Sequence, residues 1–388
     1  MIEQDQRRAL TELRSVDRAP ASEDVWTDLD VHLGELNQEA GEAVLFAFEE
    51  AAARRTGSPP GVVVEGPPGS GKTHLLRWAR ERVQQQEGYF FLMDLAGGHT
   101  VRPGVVHILL DGLRRSGHYR HTQLAMLLER LGERAELPNA LRRQIRGQEP
   151  LTAAALDAFV AGVRIADPET GRDCRFALRA LVLLAAADHE IAGVGQSWLL
   201  SLPEPADAEQ WGLPRPGRSG PDVAVEISRL LALTGPSMLA VDGIDGVVAR
   251  SDSGVIATDP GHGLMDLGDT LFRTVTVVAC LPESSQRIRD AAPGGRFRQE
   301  TRLGPVPSRE VAGRLIAARF APLFEAAGFE PPSPTWPIPP EVLDEAPGHT
   351  PRRLLELAGE QVRHLLDRDE VVPPADLSEH REASTGPR

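Results

Sequence analysis

The chain has 388 residues, 41% of them hydrophobic and 25% charged, ordinary proportions that exclude a largely disordered protein and leave room for two or three structural units. A formal charge of −14 excludes a surface generally adhesive to nucleic acid, and two cysteines far apart in sequence, Cys174 and Cys280, exclude a disulfide framework or a thiol-ligated metal centre. With no leader-like opening pattern and no run of the roughly 18 apolar residues a membrane helix needs, the expectation is a cytoplasmic protein that does not span a membrane.

In chain order, residues 1–60 read as helical and acidic, with an N-terminal helical segment over 1–40 and an amphipathic stretch from Leu36 to Ala53. The turn cluster Gly57-Ser58-Pro59-Pro60-Gly61 marks a boundary. Val62-Val63-Val64 is then a short apolar run, followed by glycines and a helical pattern at Leu75, Leu76, Ala79 and Val83. Tyr89 to Met93 predicts a second buried strand ending at Asp94. A largely helical insertion follows over 104–233, with a Pro- and Gly-rich exit containing Pro203, Pro205, Pro214, Pro216 and Pro221. A third strand, Met238 to Val241, ends in Asp242, a fourth spans Val275 to Ala279, and a fifth lies near Arg302 and Leu303.

Continuous apolar runs of this kind are expected of strands in a parallel sheet covered on both faces. The expected core is therefore α/β, built from 41–103 and 234–306. Ser308 is expected to cap a helix through Phe320, with 331–340 as a Pro-rich linker, and Thr350-Pro351 opens a helix with Leu354, Leu355, Ala358, Val362, Leu365 and Leu366 on one face. Residues 307–366 form the expected small helical domain, and 367–388 a polar tail.

One motif decides the chemistry. Gly66-Pro67-Pro68-Gly69-Ser70-Gly71-Lys72-Thr73 matches G-x-x-x-x-G-K-[ST] at every position, after a predicted strand and at the start of a predicted helix. Glycines let the backbone wrap closely around phosphate, with N–H groups turned inward at the positive end of the helix. Lys72 would reach the β and γ phosphates of ATP, Thr73 would offer its hydroxyl to Mg2+, and His74 closes the run. Lys72 is the only lysine in the chain, all other basic side chains besides histidine being arginine. A P-loop needs a compact point charge on a flexible stem, which a guanidinium fork does not supply. Asp242, ending the apolar strand from Ser237, is the candidate magnesium acid of a Walker B strand.

With these residues in place, the chain resembles the AAA+ branch of P-loop ATPases over roughly residues 40–366. The resemblance implies a five-stranded parallel sheet with a helical insertion and a C-terminal helical lid. Where the family normally places a glutamate after the Walker B acid, this chain has Gly243 in Asp242-Gly243-Ile244-Asp245. Asp245 and Asp94 are the alternative bases, and slow hydrolysis stays open. Cys280-Leu281-Pro282-Glu283-Ser284 stands where a polar sensor is expected, with Ser284 or Glu283 as candidates. Gly295-Arg296-Phe297-Arg298 resembles the family's arginine-finger motif, which implies a homo-oligomer in which Arg296, or second Arg298, reaches a neighbour's nucleotide. Gly348-His349-Thr350-Pro351-Arg352 resembles the sensor 2 helix, with Arg352 facing the γ-phosphate.

Within the insertion, Ala177 to Leu184 with Gln196-Ser197-Trp198-Leu199-Leu200 and Trp211-Gly212-Leu213 is similar to ATP-binding proteins of BREX-type phage defence. That similarity implies a multi-component antiviral system and a protein partner. Residues 112–146 carry a net +5, which fits either a nucleic-acid contact or a solvated helical face. His118 and His121 read as solvent-exposed. The functional expectation is an ATPase that loads, remodels or licenses a partner. A nucleotide-dependent switch or scaffold with little turnover is the alternative, and a small-molecule kinase is disfavoured because no acceptor signature accompanies the P-loop.

Overall fold

The computed structural model describes residues 3–17, 22–29, 31–95, 104–117, 121–202, 208–214, 219–252, 270–291 and 296–368. Five strands form one sheet: β1 Gly61–Glu65, β2 Tyr89–Asp94, β3 Ser237–Asp242, β4 Thr274–Cys280 and β5 Phe297–Arg302. They pair in the order β2, β3, β4, β1, β5, and every pairing is parallel. The fold is thus α/β, and all five strand C-termini point to one edge.

Side-chain alternation along the strands sorts the sheet into two dry faces. Val63, Phe91, Met93, Leu239, Val241 and Val278 pack into one cluster with the insertion helices. Val62, Val64, Phe90, Met238, Ala240 and Val277 pack into another with α2 (Gln38–Ala53) and α3 (Lys72–Gln85). Both faces are covered, which is why the runs read as continuously apolar rather than alternating.

Between β2 and β3 the described residues form α4 Val105–Arg114, α5 Gln123–Arg134, α6 Asn139–Ile145, α7 Ala153–Ala166, α8 Pro168–Asp173, α9 Arg175–Leu184, α10 His189–Leu199 and α11 Gly220–Thr234. Strand β2 is a sheet edge, and Gln123 closes part of it. Its side-chain oxygen accepts from Phe90 N at 2.7 Å, while its amide donates to Phe90 O at 2.8 Å and to Gly112 O at 2.7 Å. A buried carboxamide thereby satisfies backbone groups that an adjacent strand would otherwise take.

Beyond β3 come α12 (Asp245–Asp252) and, after β4, α13 (Pro282–Ala291). The C-terminal unit has its own core. Here α14 (Arg309–Ala327), α15 (Pro340–Asp344) and α16 (Pro351–Arg368) bury Ile316, Phe320, Phe324, Leu354 and Val362 together. Two expectations are corrected. The helix after Ser308 does not end at Phe320 but runs through Pro322 to Ala327, because Phe324 and Ala327 bury their side chains in this core. Residues 331–340 are not a bare linker, since Trp336 and Ile338 are buried in the same core.

The N-terminal helix α1 (Gln4–Leu13) also belongs there. Ala9, Leu10 and Leu13 are buried against α14 and α16, so the first 40 residues are divided between two cores. The predicted polar tail from 369 onward, Pro203, Pro205 and Pro216, and the Gly- and Asp-rich loop before β4 lie outside the described residues.

Candidate functional site

The C-terminal edge of the sheet opens into a cavity of about 380 Å³, lined by residues 68–75 together with Asp245, Leu281, Arg319 and Arg352. The loop from Gly66 joins β1 to α3, and its turn depends on two left-handed glycines, Gly69 at φ +79° and Gly71 at φ +101°. A side chain is excluded at Gly69 on a second ground, because a Cβ there would lie 2.6 Å from Arg352 Cβ. Pro67 and Pro68 stiffen the approach, and Ser70 N closes the turn on Pro67 O at 3.2 Å. Ser70 is fully buried.

Lys72 begins α3 and folds its ammonium back over the loop, donating to Gly66 O at 2.7 Å and Pro67 O at 3.2 Å. Burial lowers its pKa, opposed by the carboxylates of Asp245 and Asp242. The charge is thus held half out of water, where an anion stabilises it strongly. Thr73 Oγ1 donates to Asp242 Oδ2 at 2.9 Å, and Gly243 N donates to Asp242 Oδ1 at 2.9 Å. Burial pushes the Asp242 carboxyl up, while these two donors pull it back down. A hydroxyl and a carboxylate are hard-oxygen donors of the kind that could hold a cation such as Mg2+.

The remaining predicted residues divide by position. Asp245 heads α12, lines the cavity and accepts from Leu281 N at 2.8 Å. Asp94 pairs in register with Asp242 on the edge strand β2 and is not among the cavity's lining residues. Arg352 lines the cavity at the start of α16, and its backbone N donates to Gly69 O at 3.2 Å, so the C-terminal unit touches the loop directly. His74 lines the cavity too, with its ring stacked on His32 at 5.6 Å. Of the sensor candidates, Ser284 is buried and Glu283 exposed on α13, and neither lines the cavity; Leu281 does.

Arg296 lies at the far end of the sheet. Its backbone oxygen accepts from Gly61 N at 2.6 Å, placing it beside the first residue of β1. The loop begins after the last residue of that strand, a separation of roughly 15 Å at the usual strand rise. Phe297 and Arg298 are the opening residues of β5.

Arginines of the 112–146 segment are engaged by glutamates of the segment itself and by Asp111, Glu87 and Glu149 outside it, so its net charge is only partly offset. Arg142 reaches Glu129 at 3.0 Å and Glu133 at 3.1 Å, Arg146 reaches Glu129 at 3.0 Å, and Arg143 reaches Glu149 at 2.7 Å. Arg130 and Arg134 donate to the backbone oxygens of Glu87 and Leu233. His121 is exposed, while Arg120 and His118 lie outside the described residues.

Sequence reasoning missed the opposite wall of the cavity, formed by Val31, His32, Leu33, Leu36 and Asn37 from the N-terminal segment with Leu315 and Arg319 from α14. These residues form no motif and reach the site only through tertiary packing. No family model matches the chain, and neither the curated proteins nor the solved structures contain a match. Among the described residues no helix is long and apolar enough to cross a membrane, and no cluster of three or more His, Cys, Asp or Glu side chains could hold a metal.

Proposed function

We propose that this chain is a P-loop ATPase of the AAA+ type, binding ATP with Mg2+ in the cavity at the C-terminal edge of the sheet. The observation that carries the reading is the meeting of Lys72, the Thr73 to Asp242 pair at 2.9 Å, and Arg352 around one glycine-bent loop. Each part suits a triphosphate. Backbone amides of Gly69 to Thr73 would face the phosphates, and the Lys72 ammonium would exchange two backbone carbonyls for phosphate oxygens. Thr73 and Asp242 would hold Mg2+, which when bound neutralises charge on the β and γ phosphates. Arg352 would meet the γ-phosphate from the lid, giving the lid a different free energy with ATP than with ADP.

Asp245 is the better candidate base, because it lines the cavity and Asp94 does not. Its Oδ1 is already engaged by Leu281 N, and Gly243 supplies no carboxylate beside Asp242. These observations favour slow turnover, so a nucleotide-dependent switch or scaffold stands as the second reading. In either form the proposed task is to load, remodel or license a protein partner in the cytoplasm, within a multi-component system such as phage defence, through a homo-oligomer completed by Arg296. Nucleic-acid contact through 112–146 is a weaker part of the proposal, since its described arginines already serve internal partners.

Steady-state ATP hydrolysis by wild type, Asp245→Asn and Asp94→Asn tests the assignment. The expected result is a loss of about 100-fold or more in kcat for Asp245→Asn, with Asp94→Asn within a few-fold of wild type. The reverse ranking would move the base to β2.

A further inference from the structure

Asn37 has a conformation and a set of partners that helix α2 does not explain. It is the N-cap of α2 and sits in the left-handed region at φ 65°, ψ 33°. An asparagine at this position ordinarily turns its side-chain oxygen onto the amides of the first helical turn. Asn37 makes no such bond; its backbone oxygen receives Ala40 N and Gly41 N instead. Its carboxamide points across the fold. Nδ2 donates to Ser70 O at 3.4 Å, and Oδ1 accepts from Gly304 N at 2.9 Å. Only one orientation of the amide satisfies both, since a carbonyl must meet the NH2 and an N–H must meet the oxygen.

Both partners are strategic. Gly304 lies in the connection from β5 to the lid, directly after Leu303, whose N donates to Glu65 O at 2.8 Å. Ser70 separates the two left-handed glycines of the loop. The Ser70 carbonyl and the Gly71 N–H share one planar trans peptide and point in opposite directions. Holding the Ser70 oxygen on the Asn37 amide therefore also fixes the direction in which the Gly71 N–H points. Gly71, at φ +101° with nothing within 4 Å of where a Cβ would be, offers little resistance to rotation of that peptide by itself.

We propose that Asn37 is a positioning residue for the phosphate cradle: it fixes the Ser70 to Gly71 peptide in the orientation that presents an N–H to phosphate, and ties that peptide to the root of the lid. The proposal rests on the nucleotide-binding reading above. The left-handed backbone is retained so that one side chain reaches both the loop and the lid connection, and asparagine is the side chain other than glycine that tolerates this region best.

The test is ATP-Mg affinity by isothermal titration calorimetry for wild type, Asn37→Gly and Asn37→Asp, with the melting temperature of each nucleotide-free protein alongside. Asn37→Gly keeps the backbone conformation and removes both side-chain bonds. Asn37→Asp keeps an acceptor for Gly304 N but sets a carboxylate oxygen against Ser70 O. The expected result is about tenfold weaker binding in Asn37→Gly, and at least as large a loss in Asn37→Asp although its melting temperature stays near wild type. Wild-type affinity in Asn37→Asp would overturn the proposal, because the Gly304 bond alone would then account for the residue. So would wild-type affinity in Asn37→Gly. A wild-type protein that itself fails to bind ATP-Mg would instead overturn the functional reading, and this proposal with it.

Discussion

His74 carries the sharpest pH signature in the site. Its ring stacks on His32, which in turn lies on Trp78 at 5.1 Å, with His32 Nδ1 and His74 Nε2 3.4 Å apart. Burial, reinforced by Arg319, His32 and Arg77, lowers the His74 pKa from its ordinary 6.5 to about 3. A depressed folded-state value means that the unfolded chain binds the extra proton first as pH falls. The stability contributed by neutral His74 is therefore present above 6.5 and is lost as pH falls toward about 3. The slope is at most ~1.4 kcal/mol per pH unit for one proton. His32, also lowered by burial, adds to it in the same direction. Urea unfolding of the nucleotide-free protein at about pH 7 and about pH 5 should show His74→Phe losing less stability than wild type between the two conditions. Equal losses would show that His74 is not held neutral. The glycine-bent loop at 66–73 was legible because its residues are contiguous and its one lysine stands out against arginine everywhere else. His32, Asn37 and Arg319 were not, because they converge on the loop from segments far apart in the chain.

Among the elements, α1 shows most clearly what periodicity leaves out. Its helical pattern is visible in sequence, and a capping box between Glu3 and Gln6 starts it. Its docking partner is not visible, because an apolar stripe specifies burial without specifying against what. In the structure the stripe packs into the core of the C-terminal unit, and Asp17, just beyond the helix, meets Arg363 of α16 at 2.8 Å. Leu10→Ala should cost about 2–5 kcal/mol of stability in the C-terminal unit, as a buried cavity does, measured by chemical denaturation. A change below ~0.5 kcal/mol would mean that α1 is not part of that core. The strands were legible for the opposite reason: burial on both faces leaves an unbroken apolar run, and the observed β3 and β4 each extend the predicted span by one residue at both ends. The 331–340 stretch misled because proline content marks local breaks, while Phe324 and Trp336 were recruited by tertiary packing.

Across the whole molecule, the parallel sheet separates two ends with different chemistry. The 66–73 loop, Asp242 and Asp245 lie at the strand C-termini, and Arg296 sits at the opposite end beside Gly61. Arg296 is remote from its own cavity, so any contact with nucleotide must come from another subunit. Mixing Arg296→Ala with Asp242→Asn protein should restore part of the ATPase activity absent from each alone. Analytical ultracentrifugation should show assembly with a non-hydrolysable ATP analogue. A monomer under those conditions, with no complementation, would remove Arg296 from the mechanism.

Every functional role proposed for this chain requires that the loop at residues 66–73 bind nucleotide. Calorimetric titration of ATP with and without Mg2+ into wild type and Lys72→Ala measures it. The expected result is saturable, magnesium-strengthened binding by wild type that Lys72→Ala loses, with both nucleotide-free proteins melting at similar temperatures, because the Lys72 ammonium meets only two loop carbonyls and no core residue depends on it. Wild-type protein that releases no heat and gains no thermal stability with ATP and magnesium, or a Lys72→Ala variant that binds as tightly as wild type, would contradict it.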